Sequence, residues 1–122
     1  MADRPLVLVA DDDPDIRLLV QLRLERSGFS VVSASDGAQA LQLAETSGCA
    51  LAILDVTMPG VSGTDVTRTL RERRNRLPVI LLTANARETD VLAGGDAGAD
   101  AYVTKPFSPQ ELESRVRALT RV

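Results

Sequence analysis

Short apolar runs alternate along the chain with longer segments whose apolar residues recur at helical spacing. Five runs have the length and composition of buried strands: 6–10, 29–34, 50–55, 79–83 and 101–104. Apolar runs without a polar alternation are typical of strands covered on both faces, as in a parallel sheet. The intervening segments predict five helices, at 14–28, 37–48, 62–74, 86–97 and from 108 to the end.

Local signals support several of these helices. Asp13–Pro14 and Ser108–Pro109 each combine an N-cap residue with a proline at the first helical position. The first helix is predicted to bury one apolar face, made of Ile16, Leu19, Val20 and Leu24. Gly94 and Gly95 lie inside the predicted helix 86–97, where each destabilises a helix by roughly 1 kcal/mol relative to alanine. We therefore expect that helix to be the least stable one.

The alternation of strands and helices predicts the fold class. Successive βα units imply right-handed crossovers and a parallel sheet with helices on both faces. Five such units favour a flavodoxin-like, doubly wound (βα)5 fold with strand order 2-1-3-4-5. A length of 122 residues suits one domain, so we expect residues 1–122 to form a single unit. This order places the first and third strands side by side at the centre of the sheet.

Composition narrows the possible functions. Aromatic residues make up only 2%, so aliphatic residues must fill the core. The net charge of -3 argues against direct nucleic-acid binding, and we interpret Arg71, Arg73, Arg74 and Arg76 as a solvated face. The chain has no histidine, which excludes histidine-dependent catalysis, and its single cysteine, Cys49, excludes an internal disulfide. No segment resembles a signal peptide or a membrane span, so we expect a cytoplasmic location without membrane contact.

Carboxylates follow two strands that the predicted order makes neighbours. Asp55 ends the third strand, while Asp11 and Asp12 follow the first. Three adjacent carboxylates resist ionising together unless a cation joins them, and Mg²⁺, with Mn²⁺ as an alternative, suits oxygen ligands. Thr83 and Lys105 end the fourth and fifth strands and supply a hydroxyl and a cation. These are the groups that forming an aspartyl phosphate requires.

Each of these residues alone also has an ordinary structural explanation. An aspartate cluster caps helices, a single aspartate occurs in turns, a threonine belongs in a strand, and a lysine belongs at the surface. The functional interpretation depends on their joint occurrence at successive strand ends of one α/β pattern.

Four segments carry a resemblance to a known family. They are Val9-Ala10-Asp11-Asp12-Asp13-Pro14, Leu54-Asp55-Val56-Thr57-Met58-Pro59-Gly60, Val79-Ile80-Leu81-Leu82-Thr83-Ala84 and Gly98-Ala99-Asp100-Ala101-Tyr102-Val103-Thr104-Lys105-Pro106-Phe107. With them the chain resembles the receiver domain of two-component response regulators over essentially all its length.

The resemblance implies roles for individual residues. Asp55 would accept a phosphoryl group from the phosphohistidine of a histidine kinase or a phosphotransfer protein. Asp12 would contact Mg²⁺ directly and Asp11 through water, with the backbone carbonyl of Thr57 as a further ligand. The residues that would hold the phosphoryl oxygens are Thr83, the backbone amide of Ala84, and Lys105. Thr57 and Asn85 would tune the lifetime of the phosphate, and Lys105–Pro106 would be a cis peptide.

The resemblance also implies a switch and a partner surface. Tyr102 would turn inward when Thr83 moves toward the phosphate, and this would reshape an output face. That face is formed by the fourth predicted helix, the fifth strand and the last helix, and it would signal to an output domain outside this chain or to a separate protein. The dimer signature of the DNA-binding branch is incomplete, since Val91, Gly95 and Ala101 depart from it. A homodimer therefore stays open.

Other functions on this fold are less well equipped. A magnesium-dependent aspartyl-phosphate phosphatase needs a second carboxylate two residues past the nucleophile, and Thr57 stands there. A flavin or nucleotide binder needs a phosphate-binding loop after the first strand, and acids occupy that place. A phosphate-independent interaction module remains as the alternative. We expect no enzyme, with at most self-phosphorylation from small donors and autodephosphorylation.

Overall fold

The computed structural model describes residues 4–84, 87 and 98–120. Within these ranges the chain forms five strands, β1 (Leu6–Ala10), β2 (Ser30–Ala34), β3 (Leu51–Asp55), β4 (Val79–Thr83) and β5 (Ala101–Thr104). The helices are α1 (Pro14–Arg26), α2 (Gly37–Thr46), α3 (Gly63–Glu72) and a C-terminal helix (Pro109–Thr120). The helix predicted for residues 86–97, with Gly94 and Gly95, lies outside the described residues apart from Arg87.

The strands form one parallel sheet in the order β2-β1-β3-β4-β5, so the predicted topology is confirmed. Val7 of β1 pairs with Leu51 of β3, and Asp55 at the end of β3 pairs with Leu82 of β4. Because all strands run in the same direction, their carboxyl ends lie along one edge. That edge therefore receives every residue that follows a strand.

Polar side chains begin the helices as their sequences predict. The Asp13 carboxylate accepts a hydrogen bond from the Asp15 amide at 2.9 Å, and the Ser62 hydroxyl accepts one from the Asp65 amide at 3.0 Å. Ser108 caps the C-terminal helix in the same way, through the Glu111 amide at 3.2 Å. Each cap typically stabilises a helix by about 1 kcal/mol. The caps fix where the chain turns from the site edge into each helix.

The core has two layers, one on each face of the sheet. Alternate residues of the strands face opposite ways, so Val9 and Ile53 pack with α1 and the C-terminal helix, whereas Leu8 and Leu54 pack with α2 and α3. All four side chains are fully buried. This double coverage confirms the prediction for β3 and β4, which are buried throughout, and for β1 after its first residue. The outer strands depart from it, because β2 is mostly half-buried with Ser33 exposed, and β5 is buried only at alternate residues.

Two sequence predictions are wrong in detail. Helical spacing predicts Leu19 on the buried face of α1, but Leu19 is 47% exposed, as is Leu22, and Leu18 is 54% exposed. The buried face of α1 is narrower than predicted, because the C-terminal helix covers only part of it. Arg71 is not a solvated side chain, because backbone and carboxylate oxygens bind its guanidinium.

Arg71 ties together the amino-terminal edge of the sheet. Its guanidinium donates to the backbone oxygens of Gly98 at 2.9 Å, Asn75 at 2.9 Å and Leu77 at 2.8 Å, and it pairs with the Asp100 carboxylate at 3.2 Å. Gly98 has φ +86, and a Cβ there would come within 2.9 Å of the Arg71 Cγ. The turn before β4 and the start of β5 are therefore built around this arginine.

Candidate functional site

The predicted carboxylates meet at the carboxyl-terminal edge of the sheet. Asp11 follows β1 and Asp55 ends β3, and these two strands are neighbours. Asp11, Asp12 and Asp55 each offer a carboxylate oxygen, and these oxygens all lie within 4.8 Å of one another. Asp11 is fully buried and Asp55 nearly so, whereas Asp12 is exposed. The cluster therefore has a buried floor and one acid open to solvent.

Lys105 reaches this cluster from the loop after β5. Its ammonium nitrogen lies 2.8 Å from Asp11 Oδ2 and 3.1 Å from Asp55 Oδ2. The Lys105 amide donates to the carbonyl of Thr83 at 2.8 Å, which extends the pairing of β4 with β5 up to the lysine. The following bond, Lys105–Pro106, is cis. The lysine thus bridges the two buried acids.

Backbone amides satisfy the remaining oxygens of these two acids. The Asp13 amide donates to Asp11 Oδ1 at 2.9 Å, and the Thr57 amide donates to Asp55 Oδ1 at 3.2 Å. Both carboxylates are therefore held in fixed orientations by one amide and one ammonium each. Thr57 is exposed and follows Asp55 by two residues, so its carbonyl is placed on the same loop.

The electrostatics of the site favour an additional cation. Burial raises the pKa of Asp55 and the charge of Asp11 raises it further, although the hydrogen bond from Lys105 acts against both. Burial lowers the pKa of Lys105, but its hydrogen bonds to Asp11 and Asp55 outweigh burial and raise that pKa above its usual value. Lys105 is therefore an ammonium, and one ammonium leaves the three carboxylates with excess negative charge.

The donor set fits a hard divalent cation. All three side chains offer oxygen, and hard cations such as Mg²⁺ bind oxygen ligands while keeping several of their waters. The exposed Asp12 leaves room for those waters, while the two buried acids are already oriented. These residues therefore suit a metal ion that keeps coordination positions open for an oxygen ligand from another molecule.

The two predicted switch residues lie on one face of the sheet. Thr83 is fully buried and pairs with Thr104, and Tyr102 is half-buried and pairs with Leu81. Since Leu81 and Thr83 are two residues apart on β4, Tyr102 and Thr83 share a sheet face and lie diagonally to each other. Ala84 is exposed beside them. Asn85 lies outside the described residues.

Sequence reasoning missed Arg17. Its guanidinium donates to the backbone oxygen of Asp11 at 2.6 Å, so a second basic side chain contacts the acidic segment. The signal was a cation four residues after the Asp13 cap, which places it one turn into α1 and over the preceding loop.

An apolar groove adjoins the site on the α1 side. It has a volume of about 350 Å³, and its lining consists of Ile16, Leu19, Ala84, Lys105, Pro106 and Phe107. The exposed side chains of Leu18 and Leu22 follow on the same helix. The described residues thus place apolar surface next to Lys105, which sequence reasoning did not anticipate.

Comparison with known proteins identifies the family. Residues 7–117 match the family model described as response regulator receiver domain. The chain is 46% identical over 115 residues to the alkaline phosphatase synthesis transcriptional regulatory protein PhoP of Bacillus subtilis, covering 94% of this chain and 48% of that protein. It is 44% identical over 121 residues to the transcriptional regulatory protein CseB of Streptomyces coelicolor, covering 99% and 51%.

Solved structures agree. The receiver domain of Francisella response regulator 1452 superposes with a TM-score of 0.91 at 36% identity, covering 97% of this chain and 98% of that one. A CheY-like receiver domain protein from Methanospirillum hungatei gives a TM-score of 0.87 at 28% identity, covering 97% and 94%. This chain belongs to the receiver domains of two-component response regulators, a family of signalling domains phosphorylated on aspartate.

Two further facts bear on the whole protein. The chain spans about half the length of the curated relatives that it matches. None of the helices in the described ranges has the length and hydropathy that a bilayer crossing requires.

Proposed function

We propose that Asp55 is the phosphoacceptor of this receiver domain. The observation that carries the proposal is the ion-paired cluster in which Lys105 bridges Asp11 and Asp55 beside the exposed Asp12. An oxygen of Asp55 would bond to phosphorus as the bond from phosphorus to the donor's histidine nitrogen breaks, and the imidazole leaves. The donor would be a histidine kinase or a phosphotransfer protein.

Asp11, Asp12 and Asp55 with the Thr57 carbonyl would hold Mg²⁺, or Mn²⁺ in its place. When bound, the metal neutralises charge on the transferring phosphoryl group. After phosphoryl transfer, Lys105 would pair with a phosphoryl oxygen on Asp55. Its hydrogen bond to Asp11 would keep the ammonium in position. Thr83 and the Ala84 amide would donate to the remaining phosphoryl oxygens.

Phosphorylation would then act as a switch. The phosphoryl group adds charge and acceptor oxygens toward which Thr83 would move. Tyr102, diagonal to Thr83 on the same sheet face, would turn into the space released and change the output face. Thr57 and Asn85 would set how long the phosphate persists. We propose that residues 1–122 form the receiver unit and that an output domain, if the protein has one, lies outside them.

Intact mass after incubation with acetyl phosphate tests the phosphoacceptor. We expect the wild type to gain one phosphoryl group with Mg²⁺ and none with EDTA, because the acids repel a phosphate without a cation. Asp55→Asn should gain none under either condition. Asp65→Asn is the matched control, since Asp65 is an exposed aspartate on α3, and it should behave as the wild type.

Two results would contradict this proposal. Phosphorylation of Asp55→Asn would move the phosphoacceptor elsewhere. A wild type that takes no phosphate from acetyl phosphate or from a panel of histidine kinases would favour the phosphate-independent interaction module.

A magnesium-dependent phosphatase stays disfavoured because Thr57 stands where such enzymes use a general acid.

The apolar groove supports a protein as the natural donor. Leu19 lines the groove together with Lys105, and Leu18 and Leu22 are exposed on the same helix. Exposed apolar surface of this kind mediates protein contacts. We expect Leu18→Ala with Leu22→Ala to slow phosphotransfer from a histidine kinase roughly 10-fold or more. Phosphorylation by acetyl phosphate is the internal control and should be unchanged. Equal slowing with both donors would show that the leucines act on the site and not on docking.

A further inference from the structure

Arg17 joins α1 to the acidic segment 11–13. Its guanidinium donates to the Asp11 carbonyl at 2.6 Å, and its own amide donates to the Asp13 carbonyl at 3.1 Å. The side chain is half-buried, which limits its freedom. Side chain and main chain of one arginine thus contact both residues that flank Asp12.

The other contacts of this segment explain what Arg17 adds. The Asp11 amide donates to the Ala34 carbonyl at 3.2 Å, which continues the pairing of β1 with β2. The Asp13 amide donates to Asp11 Oδ1, so the turn closes on itself. Asp12 stands between them and is exposed. Its orientation therefore depends on the backbone on either side of it, and Arg17 holds that backbone from the Asp11 carbonyl.

We propose that Arg17 is a positioning residue for the divalent cation. By fixing the Asp11 carbonyl it holds the turn that presents the Asp12 carboxylate toward Asp55. This inference rests on the proposed metal-dependent phosphorylation of Asp55. Residues that do not touch a metal but hold its ligands in position orient those ligands. The loss of such a contact typically weakens metal binding by 10-fold to 100-fold.

The charge of Arg17 has the opposite effect on Mg²⁺ affinity from its positioning role. The direction in which the affinity changes on mutation therefore tests the proposal. A guanidinium beside a cation site repels the incoming metal. If Arg17 contributed only charge, its removal would tighten Mg²⁺ binding. If it positions the turn, its removal loosens the turn and weakens binding.

Calorimetric titration with Mg²⁺ alone separates these two effects. We expect Arg17→Gln to bind Mg²⁺ roughly 10-fold more weakly than the wild type. Arg17→Lys, which restores the charge and one donor, should recover part of the affinity. Arg26→Gln is the matched control, because Arg26 is an exposed arginine in the last turn of the same helix, and its affinity should stay within about twofold. Unchanged or tighter binding by Arg17→Gln overturns the proposal.

Amide hydrogen exchange without metal supplies a second readout. The Asp13 amide should exchange faster in Arg17→Gln, because its bond to Asp11 Oδ1 opens more often. The Gln39 amide, bonded in a similar way to Asp36 Oδ1 at 2.8 Å, should not change. Faster exchange throughout the chain, or no change at Asp13, overturns the positioning role. If the wild type binds no Mg²⁺ at all, the proposed metal dependence of phosphorylation is refuted. If the wild type and Arg17→Gln both bind Mg²⁺ and bind it equally, only the positioning role of Arg17 is refuted.

Discussion

The two edges of the sheet each hold a basic side chain among polar groups, but they use it differently. At the amino-terminal edge, Arg71 donates to three backbone carbonyls and to Asp100. At the carboxyl-terminal edge, Lys105 pairs with Asp11 and Asp55, and the exposed Asp12 stands beside them. At the first edge Arg71 pairs with one acid, whereas at the second edge Lys105 and Arg17 lie against a cluster of three acids.

This difference separates a structural charge from a functional one. Carbonyls carry no net charge, so the Arg71 cluster is complete in the absence of any ligand. The Lys105 cluster keeps excess negative charge. Burial and the charge of Asp11 disfavour ionised Asp55 and raise its pKa, although the hydrogen bond from Lys105 acts against both. Sites prepared for a ligand commonly reduce the stability of the unliganded protein. We therefore expect mutations at the two edges to change stability with opposite signs.

The largest effect should follow the loss of Arg71. Arg71→Ala leaves the carbonyls of Asn75, Leu77 and Gly98 without their donor, and Asp100 loses its cation. At about 0.5–1.5 kcal/mol for each of the four bonds, the free energy of unfolding should fall by roughly 2–6 kcal/mol. Urea unfolding measures this change. Arg76→Ala is the control, because Arg76 is an exposed arginine nearby, and it should stay within about 0.5 kcal/mol. Equal effects of the two substitutions would mean that Arg71 is merely a solvated side chain.

A smaller effect should distinguish the acids of the two edges. Asp100 accepts from the Val79 amide at 2.8 Å and pairs with Arg71, so Asp100→Asn should lower the free energy of unfolding by about 1 kcal/mol. Asp55→Asn removes one of three clustered carboxylates and should raise the melting temperature.

The sign for Asp55 follows from its raised pKa. The pKa of Asp55 is higher in the folded than in the unfolded protein. Such a group lowers the stability of the protein as pH rises from the unfolded-state pKa to the folded-state pKa. The asparagine variant has no such group, so it lacks this loss of stability. Melting curves in EDTA at pH 7 test both variants. A lower melting temperature for Asp55→Asn would show that Lys105 already compensates the acids in full.

Much of the fold and of the site could be predicted because both depend on strands buried on two faces. A strand such as 51–55 must be apolar until it leaves the core, so the first carboxylate after it marks the site edge. The strand order then brings Asp11, Asp55 and Lys105 together without further information. The roles of Asn85 and of the Gly94–Gly95 helix stay predictions.

What sequence reasoning missed depends on backbone geometry or on partial coverage. Arg71 and Arg17 act on carbonyl groups, and every residue carries a carbonyl, so no side-chain pattern marks these acceptors. Leu19 has the spacing of a core residue, but spacing does not reveal how much of a helix its neighbours cover. The contacts of Arg71 and Arg17 and the exposure of Leu19 can be assigned only from three-dimensional coordinates.

The smallest expected effect lies away from both edges, where α1 meets the C-terminal helix. Glu113 pairs with Arg23 at 2.7 Å and with Arg117 at 3.2 Å. A hydrogen bond from Ser27 and these two arginines lower the pKa of Glu113 from its ordinary value near 4.5 to about 2. Because the folded pKa is the lower one, this acid contributes stability above pH 4.5. That contribution is lost as pH falls toward about 2.

Glu113→Gln should therefore lower the melting temperature at neutral pH and reduce its decrease between pH 4.5 and pH 2. The change should be small, because surface ion pairs contribute little to stability. Glu111→Gln is the matched control on the same helix, since Glu111 is exposed and lies 4.0 Å from Arg115. Its melting curve should follow that of the wild type. Parallel curves for Glu113→Gln and the wild type would show that the arginines hold the two helices together without this carboxylate.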